Sequence, residues 1–148
     1  MDDNPPVDIL VQAGIVPSLV KLIDDQFHQF PKLMLECAWI LSNIASSDNK
    51  NCQYIVELGI IPRAIGLLTH ENEDVKENAI WLLSNICGDN LSYRDLLVDN
   101  NIIQTLIDIL SGAYLKPAVI DGAAWLISNI CRGRPYPPYE KVKIFKAD

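Results

Sequence analysis

A seven-residue block occurs three times in this chain: Ala38-Trp39-Ile40-Leu41-Ser42-Asn43-Ile44, Ile80-Trp81-Leu82-Leu83-Ser84-Asn85-Ile86 and Ala124-Trp125-Leu126-Ile127-Ser128-Asn129-Ile130. Its tryptophans are 42 and then 44 residues apart. A second block keeps phase with the first: Gly14-Ile15-Val16-Pro17, Gly59-Ile60-Ile61-Pro62 and the variant Asn101-Ile102-Ile103-Gln104. Two motifs on one period imply that the same local structure is built three times, each copy packing on the next.

Each unit reads as helices. The spacing predicts a short amphipathic helix over 51–58, stopped by Gly59, then a second helix opened by Pro62 and running to about Leu68. A turn at 70–72 leads to a longer helix from about Asp74 to Cys87, which Gly88 is expected to end. The same plan fits 91–98, 104–110 and 117–131, and in the first unit the long helix starts near Pro31. No segment alternates with the period of two that a strand requires. The period and the three helices per unit predict an all-α armadillo-repeat superhelical solenoid rather than HEAT repeats. The whole chain, 1–148, is one such solenoid, with units of about 5–46, 47–88 and 89–133; residues 134–148 form a loop and the start of a truncated further repeat.

In every unit the asparagine follows the tryptophan by four residues, which puts both side chains on one helix face, one turn apart. Leu41, Leu83 and Ile127 fall on the other side, toward the core. A single tryptophan among leucines is usually a core residue. Asparagine changes that reading, because it is a poor helix-interior residue and, when buried, needs up to four hydrogen-bond partners. A surface ladder of indoles and amides satisfies both. Such a ladder suits an extended peptide: amides grip its backbone, and slots between indoles take the apolar stems and charged heads of lysine or arginine. Glu36, Glu77, Asp89 and Asp121 are carboxylates near those slots.

The net charge of −7 favours basic partners and argues against nucleic acid or an anionic membrane. No apolar run approaches the ~20 residues of a membrane span, and Met1-Asp2-Asp3-Asn4 lacks the positive flank of a secretory signal. The four cysteines form no metal-binding pair. Cys37, Cys87 and Cys131 lie in apolar helical patterns and read as buried thiols. With His28 and His70 as the only histidines, and both near turns, no nucleophile–base–acid set is expected. Neither a cofactor, a metal nor an enzymatic activity is expected.

These residues resemble importin alpha, the nuclear-import adaptor family, from about Asn4 to Val142. The likeness runs through Asn4-Pro5-Pro6-Val7-Asp8, Ala13-Gly14-Ile15-Val16-Pro17, Ala38-Trp39 with Ser42-Asn43-Ile44-Ala45-Ser46, Asn85-Ile86 with Gly88-Asp89, and Leu126 through Arg132-Gly133. In that family, Trp/Asn pairs of three successive repeats form the major site for nuclear localisation signals. The resemblance implies such a site on Trp39/Asn43, Trp81/Asn85 and Trp125/Asn129. It matches Asp89 to the aspartate that pairs with the signal's most important lysine, and Arg132 to an arginine flanking the site. Ser47 and Cys52 stand where the family has a glycine and a threonine that also contact that lysine. The Ser47 carbonyl can still serve, whereas a thiol is a weaker partner than a hydroxyl. Asn78 stands where a glutamine is usual and Gly122 where an asparagine is usual, and the chain is two residues longer near 27–31.

The partners implied are basic cargo peptides, in cytoplasm and nucleus. Only Met1-Asp2-Asp3 precede the match, so the basic segment that recruits importin beta in that family is expected to be absent. The competing reading is an armadillo scaffold fragment that uses its open ends or convex face for other protein contacts or self-association.

Overall fold

The computed structural model describes residues 7–112 and 114–142. The Asn4-Pro5-Pro6 match and residues 143–148 of the expected last helix lie outside them. Among the described residues there is no strand. The helices run α1 (Val7–Gln12), α2 (Val16–Leu22), α3 (Pro31–Ser47), α4 (Asn49–Glu57), α5 (Ile60–Leu67), α6 (Glu73–Asp89), α7 (Leu91–Asp99), α8 (Ile102–Leu110) and α9 (Pro117–Cys131). They fall into three triads, each ending in a long helix, and a short α10 (Tyr139–Val142) follows. A 3-10 turn, Asp25–Phe27, leads toward α3.

The connections follow from single residues. Gly14, Gly59 and Asn101 have φ of 75°, 81° and 61°, the left-handed region. Asparagine is among the few non-glycine residues that enter that region readily, which accounts for the variant in the second motif. Gly88 does not end α6 as expected; it lies inside the helix. The turn is made two residues later by Asn90, extended at φ −150°, ψ 141°, whose side chain caps α7 by accepting the Ser92 N–H at 2.9 Å. Asp48 does the same between α3 and α4, accepting the Asn51 N–H at 2.7 Å. A polar side chain at the turn supplies the acceptor the next helix needs, so no left-handed glycine is required there.

The core is a stripe along the stack. On α3 it is built from Met34, Cys37, Ala38, Leu41 and Ile44, on α6 from Val75, Ala79, Leu82, Leu83 and Ile86, and on α9 from Val119, Ala123, Leu126 and Ile130, all buried. The most extensive helix contacts join α6 to α3 on one side and to α9 on the other. Cys131 departs from its expected burial and is exposed. It holds the register position of buried Cys87, six residues after the tryptophan, but no further long helix among the described residues covers it.

Candidate functional site

With one face of α3, α6 and α9 committed to the core, the residues one turn apart on the other face are left outward. Trp39, Trp81 and Trp125 are 55%, 44% and 46% exposed, far more than the leucines beside them. Asn43 and Asn85 are half-buried, and Asn129 is buried at 5% exposure.

The asparagines do something the sequence reading did not assign to them. Asn85 Nδ2 donates to Ser42 O at 3.2 Å and to Ser42 Oγ at 3.0 Å. Asn129 Nδ2 donates to Ser84 O at 3.1 Å. Each amide thus ties its repeat to the serine of the same block in the preceding repeat. Asn43 sits in the first block and has no earlier block to bond. The recurrence of Ser beside Asn in all three blocks was the available signal. Two polar atoms of this seam, Ser84 Oγ and Asn129 Oδ1, are buried without a partner, and an unpaired buried acceptor costs roughly 1–3 kcal/mol. They border a cleft that also contains Asn85, Asp89, Trp125 and Arg132.

Asp89, the last residue of α6, is half-buried. Burial pushes its carboxyl above the ordinary carboxylate range, a hydrogen bond from the Cys52 thiol pulls it back, and Asp48 pushes it up further. Cys52, fully buried on α4, is itself pushed up to about 12 by burial and by Asp89. The thiol therefore stays protonated, a donor to the carboxylate. Arg132, just after α9, lies over the Trp125 ring with its guanidinium carbon 5.7 Å from the centroid, within cation–π range. Its carbonyl accepts from Arg94 Nη1 at 3.0 Å; Arg94 is 1% exposed, a buried charge that the sequence reading passed over.

The remaining candidates are more local. Ser47 Oγ donates to Ile44 O at 2.7 Å and accepts from Asn51 Nδ2 at 3.0 Å. Asn78 Nδ2 donates back to Asp74 O at 2.9 Å within its own helix. Gly122 is buried, and a Cβ on it would lie 3.0 Å from Ile80 Cγ2. An asparagine cannot simply replace it, so the missing side chain reflects the close approach of α9 to α6. Trp39, Asn43, Ser47, Trp81 and Asn78 share the outward face but not the cleft around Asp89. Among the described residues no cluster of His, Cys, Asp and Glu could hold a metal ion, and no helix is long and apolar enough to cross a membrane.

The chain is similar to importin subunit alpha-3 of Arabidopsis thaliana, 38% identical over 143 residues, covering 97% of this chain and 26% of the relative. It is similar as well to importin subunit alpha-2 of the same plant, at 34% identity with the same coverage. The chain thus spans about a quarter of the length of the curated relatives it matches. Among solved structures it superposes on a designed armadillo repeat protein in complex with the peptide (KR)4, with a TM-score of 0.80, 30% identity, and coverage of 96% of this chain and 56% of that one. Residues 3–46, 48–88 and 92–132 match the Armadillo/beta-catenin-like repeat, and with three such repeats over nearly its whole length the chain belongs to that family, its curated relatives being importin alpha subunits.

Proposed function

We propose that this face holds an extended, lysine- and arginine-rich peptide of the nuclear-localisation-signal class, in an adaptor role between cytoplasm and nucleus. The observation that carries this reading is the row of three half-exposed indoles, each one turn from an asparagine, with Asp89 beside the last two rungs. Packed helices lie ~8–10 Å apart and an extended peptide advances ~3.3 Å per residue, so three repeats accommodate about six residues. Indole faces carry the lysine or arginine stems, and Asp89 takes the charge. A designed protein of the same fold, solved with (KR)4, supports a peptide of this composition.

The test is a tryptophan-fluorescence titration with (KR)4 at low and high salt. The reading expects a saturable change at low salt and weaker binding at high salt, since charged contacts at an open surface are screened. A fluorescence signal that never saturates, or an affinity indifferent to salt, would count against it.

A further inference from the structure

The protein itself places a cation at the edge of the second rung. On α6, Asp74, Glu77, Trp81 and Asn85 recur at intervals of three and four residues and so share one face. Val75, Ala79, Leu82 and Leu83, on the other side of the same helix, are buried. Glu77 precedes Trp81 by one turn, about 6 Å of rise, while Asp89 follows it by two turns. The indole is therefore bracketed by acids at both edges of the outward face.

Lys116, from the connection between α8 and α9, reaches across to one of those edges. Its Nζ is 2.7 Å from Asp74 Oδ1 and 2.7 Å from Glu77 Oε2, and its backbone N–H donates to Glu73 Oε2. Hydrogen bonds to Asp74 and Glu77 hold its pKa above the ordinary lysine range. Stability alone is a weak reason for such a bridge. The Lys116 side chain is 44% exposed and its partners Asp74 and Glu77 are 55% and 25% exposed, and ion pairs this open to water add little to folding.

We infer that Lys116 is a built-in occupant of a cation subsite at the Glu77 edge of the groove, and thereby a specificity-determining residue for the bound peptide. The inference rests on the peptide-groove reading. Side chains of an extended peptide alternate between two sides, so successive residues of a bound peptide point toward the Asp89 edge and then toward the Glu77 edge. With Lys116 in place the Glu77 carboxylate of the second rung is already paired, and a second ammonium at that edge of the rung meets a like charge. At the second rung the groove as built therefore takes a basic residue toward the Asp89 edge only; removing the Lys116 charge lets that rung take one toward the Glu77 edge as well.

The test uses the full chain, labelled (KR)4 and (KS)4 peptides, and the variants Lys116→Met, Lys116→Arg and Glu77→Gln. Lys116→Met should bind (KR)4 about fivefold more tightly, the size of one exposed ion pair, and (KS)4 no more tightly than the parent. Lys116→Arg should match the parent, the gain should vanish in Lys116→Met with Glu77→Gln, and Glu77→Gln alone should bind (KR)4 within about twofold of the parent. The inference is overturned if Lys116→Met binds (KR)4 no better, if both peptides gain equally, or if Glu77→Gln alone weakens (KR)4 strongly, since Glu77 would then already meet the peptide. The last outcome can be read even where Lys116→Met does not fold. Parent binding that Asp89→Lys leaves intact sinks the groove reading and this inference together. Parent binding that Asp89→Lys abolishes, with Lys116→Met unchanged, sinks this inference alone.

Discussion

Asp89 opposes the folding of the protein that displays it. Its carboxyl is held above the ordinary range by burial, with Asp48 adding to the effect and the Cys52 thiol working against it. A carboxyl whose folded pKa exceeds its unfolded value destabilises the fold only when ionised. The cost is absent below the ordinary carboxylate range, grows as pH rises through the raised pKa, and is complete above it. Asp89→Asn should accordingly raise Tm at neutral pH and leave it nearly unchanged at about pH 3, while weakening basic-peptide binding. Calorimetry at the two pH values checks this, and a lower Tm at neutral pH would contradict it. The thiols give a second check at this scale. Cys52 and Cys87 are both pushed up to about 12, chiefly by burial, and Cys37 is also buried, whereas Cys131 is exposed. Brief alkylation of the native protein should modify Cys131 alone, and alkylation after unfolding should modify all four cysteines. Mass spectrometry of the adducts distinguishes the two patterns.

Two glycines that look alike in the sequence differ at the scale of the helix. Gly59 has a φ of 81°, and a Cβ there would touch nothing, so its requirement is purely conformational. Gly88 lies inside α6, where the nearest neighbour of a Cβ would be Asn129 Nδ2 at an ordinary 3.5 Å. Gly59→Ala should cost roughly 1–2 kcal/mol, and Gly88→Ala should stabilise by up to about 1 kcal/mol through helix propensity. Urea unfolding of both variants measures the contrast; equal losses would refute it. The helices and the outward tryptophans were legible because they depend on spacings of three and four residues and on local punctuation such as Gly59 and Pro117. What escaped the sequence reading depends, Gly88 apart, on a neighbouring repeat: Gly122 against Ile80, Asn85 and Asn129 bonded to serines, Arg94 buried, and Cys131 uncovered. Each is decided by a residue roughly one period away, and a pattern within one helix carries no information about it.

At the scale of the molecule, the same period organises the polar contacts. Asn85 to Ser42, Asn129 to Ser84, His70 Nε2 to His28 O, Arg63 to Asp24, Lys116 to Glu73 and Arg94 to Arg132 all join residues 38 to 45 apart. Interactions confined to adjacent repeats are those of a solenoid, in which stability is a sum of units and interfaces. They also join the helices that carry the three indoles, so the proposed groove is a property of the stack and of no single helix. The most direct measurement of the central claim is the affinity of labelled (KR)4 for the parent and for Asp89→Lys, with circular dichroism to confirm that both are folded. The account predicts saturable, salt-sensitive binding by the parent and a loss of at least tenfold in Asp89→Lys, since an attraction becomes a repulsion at the central slot. Equal affinity of the two folded proteins would contradict it.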